Sequence, residues 1–359
     1  MSALDFRNPI NWLLVLMPVP VAGLILDWPA PLTFFSACLG LIPLAALMGT
    51  ATEHLSKHIG EGPGALLNAT FGNACEFIIA FAALRAGLVD VVKASITGSI
   101  IGNILLVLGA SMLVGGLRFQ KQTFNRTAAS TSATLLALAA ISLVVPAVCR
   151  GSSPGAQVVH EEHHALAIAV VLFITYILSL VFSLKTHPHL YVRPHDAEAD
   201  LAIGISGWSL ARSSTVLLVS TALVAGLSEC LVHSLESVGA TLGMSDIFIG
   251  VIVVGLVGNA AEHSTAIWMA YKNKMDLAIN IALGSGAQVA LFIAPLLVFL
   301  SFLIGAPMNL QFSNVEVVSI LVSVLILGFV ATDGECNWME GVQLLAVYAI
   351  LGAAFYFLV

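Results

Sequence analysis

Charged residues are scarce in this sequence. Only 9% of the 359 residues are Asp, Glu, Lys or Arg, whereas 59% are hydrophobic, and the mean hydropathy is +1.00. A soluble domain usually carries about 25% charged residues, so the composition argues against a water-soluble globular protein. A helix that crosses a bilayer needs about 20 mainly apolar residues. We therefore predict an all-α polytopic membrane protein.

Basic residues and paired cysteines are also lacking. Thirteen Lys and Arg stand against 20 Asp and Glu, and the net charge of −7 argues against a nucleic-acid partner, which needs a clustered basic face. The five cysteines form no Cys-x-x-Cys pair, so we expect neither a disulfide framework nor a zinc site. A glycine-rich phosphate loop is missing, which argues against ATP-driven pumping. We expect no cofactor.

Long apolar stretches, in contrast, are abundant. Eleven of them approach spanning length, at residues 12–26, 32–48, 65–84, 91–114, 129–148, 166–184, 216–232, 247–269, 277–303, 315–330 and 342–358. The widest polar interval separates six spans from five. We therefore predict an N-terminal transmembrane helix within residues 1–30, a first half over 31–184, a linker with a weak acidic segment over 185–214, and a second half over 215–359.

Lys and Arg are distributed unevenly between the two sides of this eleven-span arrangement. One side holds ten of them and the other holds three, namely Arg85, Lys93 and Arg150. Cytoplasmic loops are enriched in basic residues. The N-terminus and the central loop are therefore predicted to be cytosolic, and the C-terminus non-cytosolic.

An internal repeat is the most informative feature of the sequence. The pentapeptide GNACE at residues 72–76 returns as GNAAE at 258–262, and the Gly-Ser pair at 98–99 returns at 284–285, both 186 positions later. The first copy lies in the third predicted span, which runs outward, and the second in the eighth, which runs inward. Inverted repeats of this kind are typical of secondary transporters, whose binding site lies near the membrane midplane.

Each repeat places a glutamate in the middle of a predicted span. A carboxylate at the bilayer centre costs at least about 2.5 kcal/mol and indicates a functional site. Side chains with amide and hydroxyl oxygens accompany the two carboxylates, and calcium is bound by oxygen ligands. We predict that the cation- and proton-binding residues are Glu76, Glu262, Asn73, Asn259, Ser99, Ser285, Asn103 and Gln288.

The charge of this site indicates how it would work. Two ionised glutamates that face each other in a low dielectric repel and are poorly solvated. A divalent cation neutralises both, and so do protons. The sequence therefore predicts cation/proton antiport by alternating access, in which Glu76 and Glu262 bind metal and protons in turn.

These motifs also resemble those of a known family. The segments GALLNATFGNACEFIIA and VGLVGNAAEHSTA, with GSIIGN, LGSGAQVALFIAP, MDLAINIALGSGAQ and TDGECNWMEG, are similar to the calcium/proton antiporter (cation/proton exchanger) family of the cation/calcium exchanger superfamily. The resemblance covers nearly the whole chain. It implies one lone helix followed by two inverted five-helix halves, Ca²⁺ as the transported substrate, and Glu76 and Glu262 as the exchange carboxylates.

Two departures from the family pattern refine these expectations. The central loop carries only Asp196, Glu198 and Asp200, a thin version of the family's acidic helix, which puts regulation by cytosolic calcium in doubt. The short N-terminus favours a prokaryotic-type protein in the inner (plasma) membrane. The expected partners are Ca²⁺, H⁺ and the lipid bilayer. Association of the chain into a homo-oligomer is left open.

Three further residues are assigned to gating or to an entry vestibule. His263 follows a predicted exchange carboxylate, while Glu53 and Glu229 lie near the ends of the second and seventh spans. The simpler interpretation is a histidine at a helix–helix contact and two interfacial carboxylates in water. For the predicted site itself, Asn73 and Asn259 could instead cap broken helices.

Other functions stay open at this level. The protein could instead exchange Na⁺ or K⁺ for protons, or Na⁺ for Ca²⁺. A passive channel is a weaker alternative. The segment HEEHH at residues 160–164 satisfies H-E-x-x-H, a zinc metalloprotease signature. A remote alternative is therefore an intramembrane metalloprotease that uses His160, Glu161 and His164.

Overall fold

The structure is a computed structural model that describes residues 9–152, 158–190 and 208–358. Nearly all of this part of the chain is helical. Its helices are α1 (Pro18–Ile25), α2 (Ala30–Ile59), α3 (Glu61–Phe71), α4 (Ala74–Arg85), α5 (Val89–Arg118), α6 (Arg126–Ser152), α7 (Val158–Val181), α8 (Leu210–Leu242), α9 (Asp246–Gly258), α10 (Ala260–Tyr271), α11 (Met275–Leu303), α12 (Asn314–Val330) and α13 (Trp338–Leu358). A 3₁₀ helix (Pro9–Leu16) precedes α1, and two strands, β1 (Gln122–Thr123) and β2 (Glu335–Cys336), pair antiparallel.

The helices confirm the predicted fold class of a multi-pass helical membrane protein. Among the described residues, seven helices are long and apolar enough to cross a bilayer, and α9 with α10 would form an eighth span that bends by 62°. Shorter apolar helices cover Ile10–Ile25 and Asn314–Val330. The count of eleven spans, the half boundaries and the orientation of the termini stay predictions, and the three acidic residues of the central loop lie outside the described residues.

Two contacts between distant segments join loops or helix ends that the predicted eleven-span arrangement places on the same side of the membrane. The strands β1 and β2 pair Gln122 with Cys336, and the guanidinium of Arg118 lies 4.4 Å from the ring centre of Tyr271. In each case an even number of predicted spans separates the two partners. These contacts agree with the predicted topology without fixing which side is cytosolic.

Glycines let several of the long helices approach closely. Helix α5 packs against α13, where a methyl group on Gly109 would lie 2.9 Å from the Cβ atom of Leu344. Helix α5 also crosses α9, and a Cβ atom on Gly255 would lie 2.9 Å from the carbonyl carbon of Gly98. Small residues at such crossings are the usual means of close helix packing in membranes.

The two repeats differ at this crossing. A Cβ atom on Gly98 would overlap the backbone carbonyl of Val251, whereas at its repeat copy, Gly284, no atom of the described residues lies within 4 Å of the same position. Helix α5 is therefore closed against α9, while the corresponding face of α11 is open. The inverted halves adopt unequal arrangements in this conformation.

Candidate functional site

The repeated Gly-Asn-Ala motifs interrupt two helices at equivalent places. Helix α3 ends at Phe71 and α4 begins at Ala74, while α9 ends at Gly258 and α10 begins at Ala260. The asparagines at the two breaks, Asn73 and Asn259, make no side-chain capping bond to the helix that follows. Their amide groups therefore remain free to bind elsewhere.

The first carboxylate is held by residues of both repeats. Ser99 and Asn259 each donate a hydrogen bond to the Oε1 atom of Glu76. The Nδ2 atom of Asn259 also lies 3.0 Å from the Ser99 hydroxyl oxygen and 2.9 Å from the Gly255 carbonyl oxygen. Glu76 is only 8% exposed. An asparagine from the second repeat thus binds the glutamate of the first.

Ser285 is the second centre of the same network. Its hydroxyl oxygen lies 3.1 Å from the Oδ1 atom of Asn73 and 3.2 Å from the Oδ1 atom of Asn259, and it accepts a bond of 3.1 Å from the Asn103 amide. The Asn73 amide donates to the Oε1 atom of Gln288. Seven of the eight predicted binding residues therefore form one continuous hydrogen-bonded network across the interface of the two repeats.

The eighth residue, Glu262, lies at the opposite break. Its Oε1 atom is 3.7 Å from the position of a Cβ atom on Gly72, and its carboxylate also interacts with the Ser285 side chain. Reciprocally, a Cβ atom on Gly258 would lie 2.7 Å from the Cγ atom of Glu76. Gly258 thus leaves room for the Glu76 side chain of the other repeat, a role that was not predicted from the sequence, whereas a Cβ atom on Gly72 would be at ordinary contact distance from Glu262.

Several buried acceptors in this region have no hydrogen-bond donor. Among the described residues, the Oε2 atoms of Glu76 and Glu262 and the Oδ1 atom of Asn103 are buried and unpartnered. A buried polar atom without a partner costs about 1–3 kcal/mol, and more for a charged group. Oxygen atoms that lack donors in one network are suited to accept a cation or, at the carboxylates, a proton.

On one side the site is closed by apolar side chains. A cavity of about 10 Å³ adjoins Glu76, and its walls include Ile79, Ile96, Val254 and Ile293. This volume admits about one water molecule. The free space beside Glu76 at these four residues is therefore no larger than a single water molecule.

The residues assigned to gating or to the vestibule lie apart from the network or at its edge. The Glu53 carboxylate is 62% exposed and 2.8 Å from the Lys57 amine, and that of Glu229 is 58% exposed and 3.4 Å from the guanidinium of Arg85. His263 is 8% exposed, and its Nε2 atom has no partner among the described residues. The structure does not bring Glu53 or Glu229 to the network.

One buried carboxylate was missed by the sequence analysis. Glu316 is 2% exposed and lies in the first turn of α12, where it forms a capping box with Ser313. The signal was available, because Ser-x-x-Glu before an apolar run is typical of a capped helix start. Its burial was not predictable, since it depends on the packing of α12 against α5.

The H-E-x-x-H segment lies at the start of α7. Glu161 and Glu162 are half-buried, and His163 and His164 are exposed; the side chain of His160 lies outside the described residues. In the described part of the chain, no three His, Cys, Asp or Glu side chains are placed to hold a metal ion together. Four cysteines are described, and all four are buried and free.

Comparison with known proteins gives consistent matches over the whole chain. The model of the family described as "Sodium/calcium exchanger protein" matches residues 29–185 and 213–357. A "Ca(2+)/H(+) antiporter" of Aphanothece halophytica is 45% identical, with 96% of this chain and 95% of that protein covered. The "Ca(2+)/H(+) antiporter ChaA" of Bacillus subtilis (strain 168) is 43% identical, with 98% and 100% covered.

Solved structures give the same result at the level of the fold. One described as "Structure of native YfkE" superposes with a TM-score of 0.81 at 40% identity and covers 96% of this chain and 99% of that one. Another, described as "Crystal Structure of H+/Ca2+ Exchanger CAX", has a TM-score of 0.71 at 14% identity, with 99% and 93% covered. The second similarity concerns the fold alone.

Proposed function

Because the chain belongs to the sodium/calcium exchanger protein family, we propose that it is a secondary antiporter that exchanges cytosolic Ca²⁺ for protons. It is a multi-pass membrane transporter, and the relatives named above are transporters and not enzymes. Their printed names support calcium and protons as the exchanged ions. The metalloprotease alternative has no support in these relatives.

The observation that carries the proposal is the pair of unpartnered carboxylate oxygens. Glu76 and Glu262 come from opposite repeats, and each has one buried oxygen without a hydrogen-bond donor. Calcium takes six to eight oxygen ligands, and the network around Ser285 supplies further amide and hydroxyl oxygens. Either Ca²⁺ or protons would satisfy the carboxylates, and both could not occupy the same oxygens at once. Exchange follows from this exclusion.

Alternating access is supported by the unequal packing of the two repeats. Helix α5 is closed on α9 at Gly98, whereas none of the described residues packs within 4 Å of the Cβ position of Gly284. An exchange of these two arrangements would open the site to the opposite side, as inverted repeats allow. Under the predicted orientation, the open face in this conformation is the cytosolic one.

Proton flux in sealed proteoliposomes tests the proposed function. Vesicles that contain the purified protein and an internal pH dye should release protons into the medium when they are loaded with acid and calcium is added outside. The same vesicles should accumulate radioactive calcium, and empty vesicles should do neither. Calcium uptake without any proton movement would contradict the proposal.

Replacement of ions in the same assay distinguishes the second candidate. The family description names sodium as well as calcium, so sodium/calcium exchange is the alternative. Calcium uptake should depend on the imposed pH difference and stay unchanged when potassium or choline replaces sodium. Uptake that requires a sodium gradient would transfer the proposal to sodium/calcium exchange.

The exposed glutamates are expected to have small effects. Glu53→Gln and Glu229→Gln should lower calcium uptake by at most about threefold at low ionic strength, because exposed charges act through long-range attraction that salt screens. At about 0.5 M salt, where the Debye length is only a few Å, the difference should disappear. The measurement is the initial uptake rate at two salt concentrations. A large loss that salt does not change would place these residues in the binding site.

A further inference from the structure

A further buried carboxylate lies behind the site, and its surroundings differ from those of the two exchange carboxylates. Glu316, 2% exposed, accepts hydrogen bonds at both oxygens. Its Oε2 atom accepts one of 2.8 Å from the Ser313 backbone amide, and its Oε1 atom accepts one of 3.1 Å from the Thr97 hydroxyl. Each oxygen of this carboxylate thus has a donor from the protein, unlike the Oε2 atoms of Glu76 and Glu262.

The bond from Thr97 is not part of the helix cap. The capping box needs only the Oε2 atom of Glu316 and the Ser313 hydroxyl, which accepts from the Glu316 backbone amide at 3.3 Å. A capping box can also use glutamine at this position. The Oε1 atom therefore serves a different purpose, which is to join α12 to α5.

Thr97 lies on the opposite face of α5 from the site. Residues two positions apart on a helix differ in direction by about 200°, so Thr97 points away from Ser99, whose hydroxyl binds Glu76. Gly98 lies between them, against the backbone of Val251. Three consecutive residues of α5 are thus held by three partners: α12, α9 and the exchange carboxylate.

A polar cavity of about 400 Å³ adjoins this contact on the same rear face of α5. Its lining includes Glu316, Lys93, Asp90, Asn309 and Gln311. Lys93 is 8% exposed, and its amine lies 3.6 Å from the Asp90 carboxylate. Lys93 and Glu316 line the same cavity, so a positively charged side chain accompanies the buried carboxylate on this face.

We propose that Glu316 and Thr97 are positioning residues for calcium binding: their hydrogen bond fixes α5 so that the Ser99 hydroxyl meets Glu76. This inference rests on the proposed function. Both residues of the bond are buried, since Thr97 is 0% exposed and Glu316 2% exposed. The bond holds Thr97, which lies two positions before the site residue Ser99 on the same helix. Positioning of this kind affects binding strongly, because hydrogen bonds weaken steeply with distance and angle.

The experiment is a set of variants with calcium uptake measured over a range of calcium concentrations. Thr97→Val removes the hydroxyl and keeps the shape of the side chain. It should raise the half-saturating calcium concentration about tenfold, because loss of one buried bond to a charged group is worth about 1.5 kcal/mol or more. Thr97→Ser restores the hydroxyl and should stay within about twofold of the wild type.

A double-mutant cycle shows whether Thr97 acts through Glu316. Glu316→Gln keeps a capping side chain but cannot accept at both atoms, so it should also raise the half-saturating concentration. The double variant should be no worse than the more impaired single variant. Thr221→Val is the matched control and should behave as the wild type, since among the described residues the partner of that hydroxyl is the Leu217 carbonyl of its own helix.

A purely structural role would give a different result. It would lower the yield of folded protein or the maximal rate and leave the half-saturating concentration unchanged in Thr97→Val. That outcome, or additive effects in the double variant, would overturn the positioning role alone. Absence of calcium uptake by the wild-type protein in the same preparations would instead overturn the proposed function.

Discussion

Replacing Glu76 with glutamine is expected to abolish calcium-dependent proton movement. The carboxamide is neutral, cannot exchange a proton near neutral pH, and removes one of the two charges that face a divalent cation. The rate in proteoliposomes should fall at least about 100-fold, because loss of a charged partner in a buried site costs several kcal/mol and 1.4 kcal/mol corresponds to a factor of ten. Glu262→Gln should have the same effect.

Both variants are expected to fold. Glutamine has nearly the shape of glutamate, and its oxygen can still accept from Ser99 and Asn259, the donors to Glu76. Elution in gel filtration and thermal unfolding should therefore match the wild type. Glu335→Gln is the control, because Glu335 is exposed and paired with Lys121, and it should transport normally. Wild-type exchange by Glu76→Gln would refute the assignment of the site.

Substitution of Gly98 by alanine is expected to be severe for a change of one methyl group. The added Cβ atom would overlap the Val251 carbonyl, which belongs to a helix backbone and cannot rotate aside. Overpacking of this kind costs about 1–3 kcal/mol. We expect a lower unfolding temperature and at least a tenfold loss of transport, since Ser99 is the next residue and would move with the backbone.

Gly284→Ala provides the matched comparison, because it is the same change at the same position of the other repeat. In the described part of the chain nothing lies within 4 Å of its Cβ position, and alanine favours a helix over glycine by about 0.8–1.0 kcal/mol. Its unfolding temperature should equal or exceed that of the wild type. If the two repeats exchange these arrangements during turnover, the position of Gly284 becomes closely packed in the other conformation. The variant should then transport more slowly than the wild type despite its stability. Equal stability of the two alanine variants would contradict the unequal packing of the repeats.

The binding network was largely predictable because its residues lie within two recognisable repeats. Asn73 and Asn259 follow the glycine in each copy, and Ser99 and Ser285 are found at the same offset. Polar side chains within an apolar span face the interior of the helix bundle and not the lipid. The structure brings these residues together, and their role as cation ligands stays a proposal.

The space around the carboxylates was not predictable. Gly72 and Gly258 lie at the helix breaks, and the second role of Gly258 appears only when the two breaks face each other, so that the Glu76 side chain occupies the space of a Cβ atom. Sequence periodicity describes one helix at a time. The distance between two helices of opposite direction depends on the whole packing arrangement.

The span limits predicted from hydropathy also differ from the helix limits in the structure. The predicted span at residues 65–84 contains the break between α3 and α4, because the apolar run continues across it and only Gly72 and Asn73 indicate an interruption. Conversely, the run at 216–232 underestimates α8, which continues to Leu242 despite Glu229, His233 and Glu236 on exposed positions. The helix ends at Gly243, whose φ of 65° suits a left-handed C-cap.

The strand pair β1–β2 has a mechanical consequence. It fastens the end of α5, from the first repeat, to the start of α13, from the second, and the same two helices touch along their length where Gly109 meets Leu344. Elements pinned at a terminus and interlocked along their flanks cannot slide by a helical turn. If these contacts persist during turnover, the two repeats stay joined here, and the movement would fall to other helices, such as the long pair α2 and α8, which pack along each other.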